Sequence, residues 1–353
     1  MSIHIEHLLV DLLNSATKPS AHTLWIVDES LSTAHLRSVR PKDSLHVLTN
    51  RIDLATLLKE AGHQVFVSDF DFSVLPVSQY ADIVYRVAKE RPLVHHCINE
   101  SYRALLPQGS LHLIGTKDEG IRTHGRKAEQ LFGNPEHAKK HGDTYHIRLE
   151  KPQETAQSTA EFLDSKEYGH LRPCTVGDFH FISKPGVFGW NKVDRGSAML
   201  AAYALKILGQ NQKKSAGSVL DLGCGYGYLL LVTAGIPFSS RTATDNNAAA
   251  VDAAKASFAR AHLNVDVSLD DCGEALTGSY DWILCNPPFH QGFDTSSQLT
   301  DKFITQIRRL LAPQGKALLV VNQFIPIERL AEDKFAHIDV VSHEQGFKIV
   351  QLS

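Results

Sequence analysis

The chain has 353 residues, of which 43% are hydrophobic and 21% are charged, and its formal net charge at pH 7 is −3. This length and composition predict two globular domains, each able to bury a core of its own. The longest apolar runs, such as residues 317–321, are the size of a strand, which excludes a membrane span. The first residues, MSIHIEHLLVDLL, have no basic stretch before the apolar one, so we expect no signal peptide.

The cysteines are odd in number, contain no CxxC pair and are scattered, at Cys97, Cys174, Cys224, Cys272 and Cys285. This pattern argues against a disulfide framework and predicts a cytoplasmic location, where thiols stay reduced. The 19 histidines are dispersed without the HExxH spacing of a metal site. We therefore expect the protein to bind no metal.

Short apolar strands alternate with helical patterns along the whole chain, which indicates an α/β protein with a largely parallel sheet. In the first half, strands are predicted at residues 45–50 and 64–70, with a helix at residues 53–61 between them. The alternation continues through the segments 81–89, 93–106 and 110–115.

The stretch 151–177 is polar and lacks clean periodicity, with an acidic helical piece predicted at residues 155–166. We place the domain boundary near residues 170–185. The N-terminal domain is then expected to cover residues 1–175 and the C-terminal domain residues 185–353.

In the second half, the same patterns predict strands at 218–222, 241–245, 265–271, 280–286 and 316–322, with helices at 226–235 and 248–262. One segment also repeats between the halves. Residues 101–115 and 306–322 each read as a helix ending in Leu-Leu, a Pro-Gln-Gly turn and an apolar strand. This internal match predicts that both halves have the same fold.

The strongest motif is VLDLGCGYG at residues 219–227, a strand that runs into a glycine-rich turn and then a helix. Gly223, Gly225 and Gly227 allow close approach of a ligand, and the helix behind them presents unpaired N–H groups. The spacing G-x-G-x-G differs from the G-x-G-x-x-G fingerprint of dinucleotide sites. With Asp221 before it, the turn suits the cationic methionine moiety of S-adenosylmethionine better than a pyrophosphate.

Acidic residues follow the next two strands. Asp245 ends the first of them and could accept both hydroxyls of a ribose, whereas Asp270 or Asp271 could accept a hydrogen bond from an adenine amino group. A turn or a helix cap is the simpler explanation for each aspartate taken singly. Their recurrence at successive strand ends, where ligands of open α/β sheets bind, favours a cofactor site.

The strand at residues 280–286 delivers the tetrapeptide Asn286, Pro287, Pro288 and Phe289. Prolines after a strand alone would indicate only a turn. Here the Asn286 side-chain oxygen and the rigidly aimed Pro287 carbonyl can accept bonds from an amino group and direct its lone pair at a methyl group. Phe289 offers a face on which a planar base can stack. The tetrapeptide therefore predicts methyl transfer to an amino nitrogen without a general base.

With these motifs, the chain resembles class I methyltransferases, and more narrowly the bacterial ribosomal RNA guanine-N2 methyltransferases. The matching segments are residues 184–197 (KPGVFGWNKVDRGS), 219–227, 243–251 (ATDNNAAAV), 285–296 (CNPPFHQGFDTS) and 321–326 (VNQFIP). The resemblance implies two tandem Rossmann-like folds, of which the N-terminal copy is degenerate and binds no cofactor. It also implies methyl transfer to the exocyclic N2 of a guanine in the 16S RNA of the small ribosomal subunit.

The same resemblance assigns roles to residues. It places Phe188 and Asp194 in the lid of the cofactor pocket, Asp245 at the ribose, and residues 286–289 around the target base, with Asn286 also lining the cofactor pocket. Asp271 becomes the expected adenine contact. The first half has LTNRIDLA at residues 48–55 where the second has LGCGYGYL, which fits a copy without cofactor.

The sequence departs from the family pattern at four positions. Gly189 stands where a serine usually follows the lid phenylalanine, and Asp271 stands where relatives often have asparagine. Tyr226 and Tyr228 are bulky residues for a glycine loop.

An enzyme acting on RNA needs phosphate contacts. We therefore expect basic residues to cluster on one surface, although the net charge of the chain is −3. The best candidate consists of Arg122, Arg126, Lys127, Lys139 and Lys140, although a solvated surface explains these residues equally well. Lys184, Lys192, Arg195, Arg308 and Arg309 are further candidates nearer the pocket in sequence. The expected partner is ribosomal RNA or the assembling small subunit, bound by a monomer that flips the guanine out of its stack.

Other functions remain open at this point. The alternative targets are a guanine of large-subunit RNA, the N6 of an adenine and a protein glutamine. Enzymes that methylate adenine or glutamine more often have a tetrapeptide that ends in tyrosine. Phe289 and the residues 290–292 after it favour guanine. An inactive RNA-binding factor is disfavoured by the intact motifs of the second half, and a Rossmann dehydrogenase by the glycine spacing.

Overall fold

A computed structural model describes residues 3–15, 21–31, 33–77, 79–134, 137–153, 161–209, 215–288 and 293–353. The chain divides into two compact units, Met1–His170 and Leu171–Ser353, here called unit 1 and unit 2. Each unit contains a seven-stranded mixed sheet. No helix within the described ranges is long and apolar enough to cross a membrane.

The helices of unit 1 are α1 (Ile3–Ser15), α2 (Thr33–Leu36), α3 (Ile52–Glu60), α4 (Arg91–Ala104) and α5 (Ile121–Phe132). Its strands are β1 (Thr23–Val27), β2 (Leu45–Thr49), β3 (Gln64–Val67), β4 (Tyr80–Arg86), β5 (Leu105–Thr116), β6 (His137–His141) and β7 (Thr144–Glu150). They are ordered β3-β2-β1-β4-β5-β7-β6. The first five are parallel, and β7 and β6 add an antiparallel edge.

The sheet of unit 1 is buried on both faces. Leu24 and Ile26 of β1 belong to one hydrophobic cluster, together with residues of α4 and α5. Trp25 and Val27, which point to the other face, belong to a second cluster with residues of α1 and α3. This double burial explains why β1 reads as a continuous apolar run without alternation.

Unit 2 opens with an antiparallel hairpin of β8 (Arg172–Val176) and β9 (Phe179–Ser183). Its sheet strands are β10 (Ser218–Leu222), β11 (Ser240–Asp245), β12 (Asp266–Leu269), β13 (Tyr280–Cys285), β14 (Leu311–Asn322), β15 (Ile338–Glu344) and β16 (Phe347–Leu352). Its helices are α6 (Arg195–Leu208), α7 (Tyr228–Val232), α8 (Ala248–Arg260), α9 (Phe293–Leu310) and α10 (Ile327–Ala331).

The sheet of unit 2 has the order β12-β11-β10-β13-β14-β16-β15, which repeats that of unit 1. The repeat includes an irregularity. Pairing of β4 with β5 skips residues 106–109, and pairing of β13 with β14 skips residues 312–315. The predicted duplication of the fold is therefore confirmed.

The predicted Pro-Gln-Gly turns are wrong, because each strand begins directly after its helix and the Pro-Gln-Gly residues bulge out of it.

Three other expectations differ from the structure. The predicted match of residues 48–55 to the glycine loop is wrong, because these residues follow β2, the counterpart of β11. Residues 27–31, at the end of β1 and just after it, occupy the equivalent of the loop. The helix predicted at 226–235 is shorter, because Gly227 has a φ of +90° and α7 begins only after it. Residues 161–166 are not helical, and the rest of the predicted acidic helix lies outside the described residues.

Candidate active site

The glycine loop, residues 223–227, joins β10 to α7 at the carboxyl edge of the sheet. Gly223, Gly225 and Gly227 all have positive φ, at +81°, +55° and +90°. A Cβ atom on Gly227 would lie 2.5 Å from the Phe258 ring, whereas one on Gly225 would meet nothing within 4 Å. Gly227 is therefore required for packing, and Gly225 borders the open space above the loop.

Asp245 ties the glycine loop to the next strand end. Its Oδ2 accepts a hydrogen bond from the Gly225 N–H at 2.9 Å, and its Oδ1 accepts one from the Asn247 N–H at 3.0 Å. The Asn247 side chain in turn caps α8 through Ala249 and donates to the Gly186 carbonyl at 3.2 Å. One carboxylate thus fixes the loop relative to the segment that leads to Phe188.

Asp221 lies within β10 beneath the loop. Its side chain is fully buried, and neither carboxyl oxygen has a hydrogen-bond partner among the described residues. Burial, with the nearby charge of Asp245, raises the pKa of Asp221 to about 8. A bound cation would lower that pKa and stabilise the ionised form.

Asn286 follows β13 and is held by the first turn of α6. Its Nδ2 donates to Asp194 Oδ2 at 3.0 Å and to Ser197 Oγ at 2.7 Å. Asp194 also caps α6 by accepting the Ser197 N–H at 2.9 Å. Because both amide hydrogens are used, the side-chain oxygen Oδ1 is the group that Asn286 can offer to a ligand as an acceptor.

These segments meet in a cleft lined by Phe188, Gly189, Lys192, Asp194, Ser197, Gly223, Cys224, Gly225, Tyr226, Tyr228, Leu229 and Asn286. The cleft brings together five of the predicted site residues, namely Phe188, Asp194, Gly223, Gly225 and Asn286. Of the remaining tetrapeptide, Pro287 is buried and Pro288 is exposed, while Phe289 lies outside the described residues together with residues 290–292.

Sequence reasoning missed Ser197, which holds Asn286. A signal existed, because Asp194 and Ser197 have the D-x-x-S spacing of a helix cap. The two bulky tyrosines of the loop pack on the β8–β9 hairpin. The Tyr226 ring stacks on Phe181 with centroids 4.2 Å apart, and the Tyr228 ring meets Phe179 edge to face.

Asp270 and Asp271 are not part of this cleft. Asp271 Oδ2 forms an ion pair with Lys302 Nζ of α9 at 2.5 Å. Asp270 is buried, and its Oδ2 accepts the Ala275 N–H at 3.1 Å. No cluster of three or more His, Cys, Asp or Glu side chains that could hold a metal ion occurs in the part of the chain that the structure describes.

The predicted basic residues of unit 1 lie on α5 and β6. Arg122, Arg126, Lys139 and Lys140 are exposed, and Lys127 is half-buried. The Arg122 guanidinium and the Lys140 ammonium lie 5.8 and 6.0 Å from the centre of the Tyr145 ring, a residue that the sequence did not single out.

Two of the further basic candidates are engaged elsewhere. Lys184 is buried, so the expectation that it adds to an RNA surface is wrong. Arg309 donates to the backbone carbonyls of Gly273 and Leu276. Lys192, Arg195 and Arg308 are exposed.

The strand order of unit 2, its glycine loop, the acid at the end of the second strand and the Asn-Pro-Pro after the fourth define a class I methyltransferase. In agreement, residues 178–351 match the family model described as methyltransferase small domain.

The relatives narrow this class. Ribosomal RNA small subunit methyltransferase C of Pseudomonas aeruginosa (strain UCBPP-PA14) is 31% identical over 280 residues, covering 78% of this chain and 79% of the relative. The protein of the same name from Erwinia tasmaniensis is 31% identical over 274 residues, covering 76% and 74%. The chain belongs to the ribosomal RNA small subunit methyltransferase C family.

A solved structure extends the likeness to the whole fold. The T. thermophilus 16S rRNA N2 G1207 methyltransferase, in complex with AdoMet and guanosine, superposes with a TM-score of 0.79 at 23% identity. The match covers 98% of this chain and 91% of that chain. The prediction of two tandem methyltransferase folds is thereby confirmed.

Proposed function

We propose that this chain transfers a methyl group from S-adenosylmethionine to the exocyclic N2 of a guanine in 16S ribosomal RNA. The observation that carries the proposal is the cleft of unit 2, in which Asp194 and Ser197 hold Asn286 beside the glycine loop. The small-subunit substrate is supported by the family, whose members are named for that RNA.

The residues of the cleft fit the cofactor. A Cβ on Gly225 would meet nothing within 4 Å, and one on Gly223 would meet only Phe303 at 4.0 Å, so the space above the loop can hold a ligand. Beneath it, the carboxyl groups of Asp221 and Asp245 favour a positive charge. S-Adenosylmethionine, when bound, supplies an electrophilic methyl group on a sulfonium cation.

Each predicted cofactor residue then has a proposed role. Gly223, Gly225 and Gly227 shape the loop, Asp245 accepts the ribose hydroxyls, and Asp221 favours the cation. Phe188 and Asp194 close the pocket at its lid. Asp271, which does not line the cleft, remains the proposed adenine contact, and its carboxylate would then bind both the adenine amino group and Lys302.

Asn286 acts on the substrate. The guanine amino group is a poor nucleophile because its lone pair is delocalised into the ring. The Asn286 Oδ1 and the Pro287 carbonyl accept its two N–H bonds, which turns the lone pair toward the methyl group and stabilises the positive charge that develops on nitrogen. Pro288 restricts the backbone that aims these acceptors, and Phe289 stacks on the base.

Unit 1 is proposed to contribute to RNA binding. Arg122, Arg126, Lys127, Lys139 and Lys140 would contact phosphates, whose neutralisation provides most of the affinity for RNA. In this division of labour, residues 1–175 form a domain without cofactor and residues 185–353 form the catalytic domain. The protein is proposed to act as a cytoplasmic monomer on ribosomal RNA or the assembling small subunit.

The test is mass spectrometry of ribosomal RNA from a strain that lacks the gene. We expect one N2-methylguanine to disappear from 16S RNA and to return with the wild-type gene but not with Asn286→Ala. An unchanged 16S pattern, or a loss in 23S RNA, in adenine or in a protein glutamine, would refute the proposed substrate.

A further inference from the structure

The loop between β14 and α10 presents an aromatic side chain to solvent. Phe324 is 81% exposed, more than the other large hydrophobic side chains whose exposure the structure describes. A single exposed hydrophobic residue is ordinary on a protein surface. Its meaning therefore depends on how rigidly the loop is held and on where the loop lies.

The backbone around Phe324 is fixed on both sides. The Gln323 N–H donates to the Gly346 carbonyl at 2.9 Å, and the Phe324 N–H donates to the Asn322 side chain at 3.0 Å. The Ile325 N–H donates to the Asn322 carbonyl at 3.0 Å, and the Ile325 side chain packs against the core. The loop thus buries the Ile325 side chain against the core and leaves the Phe324 side chain exposed to solvent.

The loop lies at the same edge of the sheet as Asn286, because β13 and β14 are parallel. A short series of contacts connects them. Asn322, the last residue of β14, pairs with Phe347 of β16. A Cβ on Gly196 would lie 3.3 Å from the Phe347 ring, and Gly196 belongs to the turn of α6 that holds Asn286.

Basic and aromatic side chains also lie at the cleft that contains Asn286 and at the start of α6. Phe188, which lines the cleft, is 64% exposed. Lys192 also lines the cleft, and both it and Arg195, the first residue of α6, are exposed. Positive charge beside exposed aromatic rings is the combination with which proteins bind unpaired nucleic acid strands.

We infer that Phe324 is a base-stacking residue, whose ring packs on a nucleobase that neighbours the target guanine while Lys192 and Arg195 contact the phosphates. The inference rests on the proposed function and adds an RNA contact to its active site. Removing one base from a stack leaves its neighbours unstacked, which is costly. An aromatic face held at the rim offsets part of that cost and keeps the strand open.

The experiment compares Phe324→Ala, Phe324→Leu and Phe324→Trp in the full-length protein. Leu205→Ala is the matched control, because Leu205 is 39% exposed on α6, nearly three turns from its N-terminus. The measurements are the KM and kcat for methyl transfer to naked 16S RNA and the Kd of S-adenosylmethionine.

We expect Phe324→Ala to raise the KM for RNA about tenfold with kcat and cofactor affinity unchanged. Phe324→Trp should restore the wild-type KM. Phe324→Leu, which keeps the apolar character and loses the ring, should behave like the alanine variant. In a single-stranded oligoribonucleotide with 2-aminopurine beside one guanine, wild type should quench the fluorescence and Phe324→Ala should not.

A wild-type KM for Phe324→Ala would overturn the inference, as would a wild-type KM for Phe324→Leu. A defect on assembled small subunits but not on naked RNA would also overturn it, because the side chain would then contact a protein. If the wild type methylates no ribosomal guanine, the proposed function fails. The 2-aminopurine signal still decides in that case whether Phe324 stacks on RNA.

Discussion

The loop after the first strand differs between the two units, although the sheets around it have the same order. The pairing of Leu24 with Ile83 in unit 1 corresponds to that of Leu220 with Ile283 in unit 2. In this register, residues 27–31 (VDESL) of unit 1 stand where unit 2 has residues 223–227 (GCGYG). Side chains therefore occupy the positions of Gly223, Gly225 and Gly227 of unit 2.

The charged residues of the unit 1 loop are partly paired within unit 1, although Asp28 Oδ2 has no hydrogen-bond partner among the described residues. Glu29, at the position of Gly225, forms an ion pair with Arg51 at 2.9 Å, and Arg51 also contacts Asp53 at 3.1 Å. The neighbouring Asp28 is buried and accepts the Ser30 N–H at 2.8 Å. The loop thus has internal partners where the loop of unit 2 faces an open cleft.

The two units also differ at the position of Asn286, where unit 1 again has a charged side chain with a partner inside the unit. Its counterpart in unit 1 is Arg86, which is buried, forms an ion pair with Glu119 at 2.5 Å and donates to the Val87 carbonyl. The comparison teaches that a methyltransferase sheet can lose its site and keep its scaffold. Side chains that pair with each other then replace the groups that would bind a ligand.

A large effect on cofactor binding is expected when the two loops exchange residues. Gly225→Glu should weaken S-adenosylmethionine binding by about 100-fold or more, or about 2.7 kcal/mol. The new side chain would be strained at a φ of +55°, and its charge would lie beside Asp245, which bonds to this residue at 2.9 Å. The measurement is isothermal titration calorimetry.

The matched control is Glu29→Gly, which we expect to leave the affinity for S-adenosylmethionine unchanged. A stoichiometry of two cofactors per chain in the wild type would contradict the contrast between the units. Tight binding by Gly225→Glu would show that the cofactor does not lie over the glycine loop.

The next comparison concerns the residue after the fourth strand. Asn286→Ala should lower kcat about 100- to 1000-fold and leave unfolding and cofactor affinity unchanged, because it removes an acceptor used on the way to the transition state. Arg86→Ala should leave kcat unchanged and destabilise the protein by about 3–5 kcal/mol, because the Glu119 carboxylate stays buried without its cation.

Urea unfolding and steady-state kinetics on both variants measure the contrast. Arg86→Met combined with Glu119→Leu should recover most of the lost stability. Equal losses of kcat in the two single variants would show that the positions do not differ in the way the structure indicates.

The motifs of unit 2 could be predicted because each lies in a few consecutive residues. Residues 219–227 contain a strand and a glycine turn, and a helix begins directly after them. Around Asn286, the prolines likewise follow the strand directly. Strand β1 was missed although β2, which is equally buried, was predicted, because a short apolar run without alternation fits a strand and a buried helix segment alike. The bond between Ser197 and Asn286 joins residues 89 apart, and sequence spacing does not reveal which loops meet.

A smaller effect tests how Asn286 is oriented. Ser197→Ala removes one of its two acceptors, and we expect kcat to fall about fivefold, the equivalent of one ordinary hydrogen bond. The KM for RNA and the Kd of S-adenosylmethionine should not change, and Ser197→Thr should stay near wild type. A rise in KM without a loss of kcat would show that Ser197 contacts substrate and does not act through Asn286.

A further contrast is the dependence of stability on pH, for which the shifted pKa values of His124 and His146 in unit 1 and of Asp221 in unit 2 predict opposite signs. Burial, with His95 nearby, lowers the pKa of His124 to about 4, and burial, with His112 nearby, lowers that of His146 to about 4. In the unfolded chain both histidines take up a proton near pH 6.5. These two histidines should therefore lower the stability of unit 1 as the pH falls from about 6.5 to about 4, whereas buried Asp28, whose pKa burial raises, acts in the opposite direction.

In unit 2, Asp221 gives the stability a pH dependence of the opposite sign. Folded Asp221 keeps its proton up to about pH 8, whereas the unfolded chain releases it near pH 4. This group therefore stabilises unit 2 at low pH, and its contribution is lost as the pH rises toward 8. Asp221→Asn, which cannot ionise, should remove that decline.

Urea unfolding without cofactor, followed by tryptophan fluorescence, separates the units. Trp25 is the one tryptophan of unit 1, so Trp190→Phe with Trp282→Phe reports on unit 1 and Trp25→Phe reports on unit 2. Slopes of the same sign in both reporters would contradict the assignment. Opposite slopes would show that the burial of the Asp221 carboxyl and the burial of the two histidines shift the stabilities of the units in opposite directions, as expected for a buried acid and for buried bases.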